Sequence, residues 1–189
     1  MLIGFIGTPS CGKSTTSFGL CYHLKKRGYT VELVTEYARR HIIDCRVKGI
    51  PGNGGYEGQK IIYGQDSNNA LIYRKYSDAV TVTDGCTINC SFYNDFNHLD
   101  LVEEANKYDL LFYIPTEDVP PVPGDANRLQ NREQILTLAR KWEEVIRPLM
   151  AQVPHIVELR GYPHYTVDQM VDAAYTVIDD RFFKKKLAA

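Results

Sequence analysis

The 189-residue sequence predicts an α/β protein of three layers, α/β/α, with five parallel strands. Two observations carry this expectation. Strand-like and helix-like segments alternate along the chain, the pattern of a parallel sheet covered on both faces. Residues 7 to 14, Gly-Thr-Pro-Ser-Cys-Gly-Lys-Ser, form a glycine-bounded turn between an apolar run and a helix-forming stretch. There is no internal repeat and no composition shift that would mark a second domain, so residues 1–189 are read as one domain. A chain of this length buries roughly 70% of its unfolded surface.

The elements follow in order. Leu2–Ile6 is the first strand, and Thr15 to Lys26 forms the first helix, with Gly28 after Arg27 as its stop. Thr30–Thr35 reads as the second strand and Glu36 to Val47 as a helix. Gly49 to Gly58 holds five glycines and a proline and is expected to be a mobile, substrate-facing loop. A helix over Glu57–Tyr76 leads to the third strand, Ala79–Thr83, and Asp95–Lys107 forms a weaker helix. Asp109–Ile114 is a buried fourth strand. Pro115 to Ala126 carries four prolines, which excludes regular structure and suggests a lid-like segment over about 115–132. A long helix over Leu129–Arg147, a fifth strand near His155–Leu159 and a last helix complete the pattern. Thr166 and Gln169 make a capping box for that helix, and Val167, Met170, Val171, Ala174 and Ile178 form its apolar face.

Composition narrows the functional classes. The apolar fraction is 44%, the charged fraction 24% and the net charge −1, so no global field attracts nucleic acid or an acidic membrane. No apolar run is long enough to span a bilayer. Cys11, Cys21, Cys45, Cys86 and Cys90 lack the paired spacing of a zinc site, which fits free thiols in a reducing cytoplasm. Lys184, Lys185 and Lys186 form a short basic run, read as a solvated tail.

The turn at residues 7–14 is a complete G-x-x-x-x-G-K-[ST] phosphate-binding loop in its required strand–loop–helix setting. Gly7 and Gly12 let the backbone turn its N–H groups toward phosphate oxygens, and the helix that follows adds its positive dipole end. Lys13 supplies a charge for the β- and γ-phosphates, and Ser14 a hydroxyl for magnesium. Pro9, Ser10, Cys11 and Thr15 complete the expected nucleotide contacts. With Cys11 inside the loop, alkylation of its thiol is expected to block nucleotide binding.

In a doubly wound sheet, ligands sit beyond the carboxyl ends of the strands. Glu36, after the second strand, is therefore placed to accept a proton from an attacking hydroxyl. Asp84, after the third, is placed to reach the magnesium shell or the substrate. Arg128 and Arg132 follow the proline-rich segment and could close over the triphosphate. Arg39 or Arg40 could meet substrate phosphate or face solvent. Gly161, after the fifth strand, would permit backbone approach to an adenine, and His155 belongs to strand packing. Asn106-Lys107-Tyr108-Asp109 matches a guanine-reading string but precedes its strand instead of following one, so no guanine specificity is assigned.

Together, Gly7–Thr15, Glu36-Tyr37-Ala38-Arg39, the helix containing Gln65, Val82-Thr83-Asp84, Tyr108-Asp109-Leu110-Leu111 and Asp125–Arg128 resemble the compact P-loop small-molecule kinases, especially ribosylnicotinamide-kinase-like domains. The resemblance implies a P-loop NTPase fold with the kinase-type strand order 2-3-1-4-5, and magnesium-dependent transfer of the γ-phosphate of ATP to a nucleoside- or nucleotide-like hydroxyl. It carries the base or metal role to Glu36 and Asp84 and the closing arginine to Arg128, and it is compatible with a bacterial-virus origin. The sequence departs from that family after the third strand, where a paired Asp-Thr-Asp is replaced by Asp84 followed by Gly85 and Cys86. Two other readings keep the phosphate loop. One is a kinase acting on a polynucleotide or modified DNA, against which the near-neutral charge argues. The other is an NTPase that works as a binding switch.

Overall fold

Side by side in one all-parallel sheet lie β2 (Val31–Val34), β3 (Val80–Thr83), β1 (Leu2–Ile6), β4 (Leu110–Tyr113) and β5 (Ile156–Glu158), the order the family resemblance implies. A computed structural model describes residues 1–50, 55–76, 78–92, 98–117 and 132–184. Six α-helices are described around the sheet: α1 (Lys13–Lys26), α2 (Tyr37–Val47), α3 (Gly55–Tyr76), α4 (His98–Ala105), α5 (Arg132–Met150) and α6 (Val167–Ile178).

The central strands are apolar because both faces are covered. Along β1 the side chains alternate between two cores. Ile3 and Phe5 join Leu20 and Leu24 of α1 and Met170, Ala174 and Ile178 of α6 on one face. Leu2 and Ile6 join Val102 of α4 and Trp142, Ile146 and Leu149 of α5 on the other. β4 repeats the alternation, with Leu110 and Phe112 on the first face and Leu111 and Tyr113 on the second. Each such side chain, fully buried, contributes about 1.5–3 kcal/mol. The edge strand β5 is only partly covered and correspondingly mixed in character.

Helix ends follow local chemistry. Gly28 takes φ 87° just beyond α1 and donates its N–H to the Lys25 carbonyl, so the helix stops where the sequence places its stop. Thr166 accepts from the Gln169 N–H while the Gln169 side chain accepts from the Thr166 N–H, the capping box expected for α6.

Four expectations need correction. Gly55–Gly58, read as part of a loop, opens α3 instead; residues 51–54 lie outside the described set. Burial of Gln59 and Ile62 and a Glu57–Lys60 ion pair at 3.1 Å fix this turn despite its glycines. α5 runs past Arg147 to Met150 despite Pro148, which removes one intrahelical N–H donor, because buried Leu149 and Val153 hold the chain. A 3-10 helix, Thr87–Phe92, stands between the third strand and the following helix, where no element was read from the sequence, and Thr87 to Ser91 are all buried. Gly161 faces its own chain: a Cβ there would lie 2.6 Å from the Pro115 carbonyl oxygen, so its close backbone approach serves packing. Of the weaker helix expected over Asp95–Lys107, the described part is α4, and residues 93–97 lie outside the described set. The prolines of 118–126 lie outside it as well. No helix among the described residues is long and apolar enough to cross a membrane.

Candidate nucleotide-binding site

Sheet register decides which side chains meet. Val34 pairs with Thr83, and the Asp84 N–H donates to the Val34 carbonyl at 2.9 Å, extending the ladder one step. Glu36 and Asp84 therefore leave adjacent strands at the same end. On the other side of β3, Thr83 pairs with Gly4, which brings Asp84 to the edge where β1 turns into the phosphate loop.

That loop has the backbone its glycines predict. Gly7 takes φ 153° and Gly12 φ 98°, and Gly12 is the N-cap of α1 without a side-chain cap. Gly7 also has no room for a side chain, since a Cβ would sit 2.6 Å from Cys11 Sγ and 2.7 Å from the Ile114 carbonyl oxygen. Ser10 adopts φ 72°, a conformation uncommon for a residue with a side chain. Pro9 and Thr15 are exposed, and Ser10 and Ser14 are half-buried.

Lys13 is 8% exposed, and its Nζ donates to the carbonyls of Gly7 and Thr8, both at 2.8 Å. The third donor of the ammonium reaches Cys11 Sγ at 3.9 Å, a weak contact that a phosphate oxygen would displace. Ser17 Oγ donates to Asp84 Oδ1 at 3.5 Å, and the Ser14 side chain lies near enough to act on the same carboxyl. Burial pushes the Asp84 carboxyl up to about 6; Ser14 opposes this, the nearby Glu36 charge adds to it, and Lys13 and Ser17 oppose it again. Glu36 lies over Gly85, where a methyl group would sit 3.6 Å from its Cγ. Lys13, Ser14, Glu36 and Asp84 thus form one cluster at the carboxyl end of the sheet.

Other predicted residues have different settings. Cys11 is 5% exposed with Sγ 3.9 Å from Lys13 Nζ, so its thiol packs beneath the loop, shielded from reagents in solution. Arg39 and Arg40 are exposed on α2. Arg132 stands exposed at the first residue of α5, and Arg128 lies outside the described residues. His155 Nε2 donates to the Ala105 carbonyl at 3.0 Å, a packing role as expected. The guanine-like string is likewise structural: Tyr108 is buried, and Asp109 Oδ2 accepts from the Leu2 N–H at 2.7 Å.

Three supporting residues were not legible in the sequence. Asn89, in the 3-10 helix, accepts through Oδ1 from the Gly7 N–H at 3.4 Å. The Thr116 and Thr8 hydroxyls hydrogen-bond, fastening the segment after β4 to the loop. Asp66 on α3 accepts from the Tyr37 N–H at 3.0 Å, and its carboxyl shares the field of Glu36 and Asp84. Each sits in a polar stretch with no spacing signal.

Among the described residues, no three His, Cys, Asp or Glu side chains gather into a self-sufficient metal site. The Ser14 hydroxyl and the Asp84 carboxyl, close enough to influence each other, are instead an all-oxygen pair, suited to magnesium that takes its remaining ligands from phosphate and water. Fold and loop together define a P-loop nucleotide-binding domain of the NTPase class. The chain belongs to a family of AAA domains: the family model, described as an AAA domain, matches residues 2–160. That span runs from β1 through β5 and includes the whole phosphate loop. No curated protein matches the chain.

Proposed function

We propose that this protein is an ATP-dependent kinase that transfers the γ-phosphate to a hydroxyl of a small nucleoside- or nucleotide-like acceptor, as a ribosylnicotinamide-kinase-like member of its class. The observation that carries this reading is the position of Glu36. Its carboxylate lies over Gly85, next to Asp84 but separate from the Ser14–Asp84 pair. Simple nucleotide binding needs only the loop and the metal pair; a second carboxylate beside them suits removal of a proton from an acceptor hydroxyl.

In this mechanism the loop N–H groups and Lys13 hold the β- and γ-phosphates, with Gly7 and Thr8 fixing the ammonium. Pro9, Ser10, Cys11, Gly12 and Thr15 shape the same cradle. Ser14 and Asp84 would hold magnesium, which neutralises phosphate charge when bound. Glu36 accepts the acceptor's hydroxyl proton as its oxygen bonds to the γ-phosphorus. The bond from that phosphorus to the β,γ-bridging oxygen breaks, and ADP departs. Arg128 and Arg132 are assigned to the closing side of the triphosphate. The chain acts mainly by positioning and charge stabilisation, because phosphoryl transfer needs little covalent help.

Incubation with γ-labelled ATP, magnesium and separate panels of nucleosides, nucleotides and short oligonucleotides tests the assignment. Label is expected in a nucleoside or nucleotide. Label in the oligonucleotides alone would move the acceptor to a polynucleotide, and free phosphate as the sole product would replace the kinase with an ATP hydrolase.

A further inference from the structure

Glu36 is the N-cap of α2, with φ −56° and ψ 128°, yet its side chain makes no capping hydrogen bond. A glutamate is poorly suited to cap its own helix, and here the side chain turns toward Gly85. The first N–H groups of α2 therefore need another acceptor. Asp66 supplies one from a different helix, with Oδ1 3.0 Å from the Tyr37 nitrogen.

Asp66 is itself well anchored. The neighbouring Ser67 Oγ donates to Glu104 Oε2 of α4 at 2.7 Å, and Ile62 and Ala70, one turn to either side, are buried. The carboxylate also stands at the positive dipole end of α2. We propose that Asp66 is a positioning residue: by capping α2 in trans it leaves the Glu36 side chain unengaged and holds it over the Asp84–Gly85 turn. This inference rests on the kinase reading for its catalytic consequence, but the cap is a structural claim that can be tested without any acceptor.

Amide hydrogen exchange at Tyr37, compared in the wild type, Asp66→Ala and Asp66→Asn, provides that test. The amide is expected to be protected in the wild type, to lose at least tenfold in protection in Asp66→Ala, and to recover in Asp66→Asn, which keeps an oxygen acceptor. Amides of α1 should not change. Unaltered Tyr37 protection in Asp66→Ala would overturn the cap. If Asp66→Ala does not fold, Asp66→Leu, similar in shape to Asn and lacking the acceptor, takes its place in the same comparison.

Kinetics then tests the catalytic consequence. Asp66→Ala should lower kcat by about 10²-fold, the scale of a misplaced catalytic group. KM for ATP should hold, and Asp66→Asn should recover most of the loss. Adding Glu36→Gln to Asp66→Ala should cost little more. An equal kcat loss in Asp66→Ala and Asp66→Asn would show that the charge acts instead of the cap, and a full additional loss on adding Glu36→Gln would show that the two side chains act independently. Either result overturns the positioning role. A wild type with no phosphotransfer would refute the kinase reading and with it the catalytic consequence, while the exchange result still decides the cap.

Discussion

Lys13 donates to the Gly7 and Thr8 carbonyls of the loop that carries it, so on the proposed function its removal loses both a phosphate contact and a brace. Lys13→Ala should cost about 3 kcal/mol in transition-state stabilisation, near 10²-fold in kcat. Near-normal turnover in that variant would refute the donor site. Asp66 gives a second prediction, for the metal-free protein. Burial raises its carboxyl from 3.8 to about 7; the Tyr37 N–H opposes the rise, and the Glu36 and Asp84 charges add to it. With the folded value above the unfolded one, the stabilising contribution is complete below the unfolded pKa and fades as pH rises through about 7. Asp66→Asn cannot ionise, so its Tm advantage over the wild type should widen between about pH 4 and about pH 7 and level off above that. Parallel Tm-against-pH curves would contradict this. Lys13, Ser14, Glu36 and Asp84 were readable because each follows a strand or sits in a motif. Asp66 lies mid-helix between Gln65 and Ser67, where one polar residue resembles the next and only the cross-helix bond distinguishes it.

At the scale of elements, caps and close approaches carry more weight than propensity. Thr166→Ala breaks the reciprocal bonds at the start of α6 and should cost about 1 kcal/mol, or a fall of about 2–4 °C in Tm. Gly161→Ala places a methyl group against the Pro115 carbonyl, a backbone atom that cannot rotate away. A loss of about 1–3 kcal/mol in denaturant unfolding is expected. Strands and the capping box were legible because alternation and cap chemistry are local. The helical start at Gly55 and the continuation through Pro148 were not, since tertiary burial of Gln59, Ile62 and Leu149 overrides glycine and proline preferences. The 3-10 helix at Thr87–Phe92 was hidden for the same reason: its burial comes from layers distant in sequence.

Across the whole molecule, one site is shared by segments far apart in the chain. β1, β2 and β3 deliver the cluster, the 3-10 helix steadies Gly7 through Asn89, and the segment after β4 steadies Thr8 through Thr116. A ligand that binds there stabilises the folded state as a unit. Magnesium-ATP at about 100-fold its Kd should add about 2.7 kcal/mol and raise Tm by about 5–10 °C. Lys13→Ala should abolish most of that rise; an undiminished shift would place the nucleotide elsewhere.

Trp142 is the protein's single tryptophan; it is 1% exposed and lies parallel to the Tyr113 ring at 6.1 Å. The molecule therefore carries its one tryptophan on one side of its sheet, while only tyrosines such as Tyr29, Tyr165 and Tyr175 and phenylalanines pack on the other. Its emission should be blue-shifted in the native state and redden only when α5 lifts from β4. Loosening confined to α1 and α6 would leave the colour unchanged, so fluorescence set beside circular dichroism tells whether the two sides come apart together.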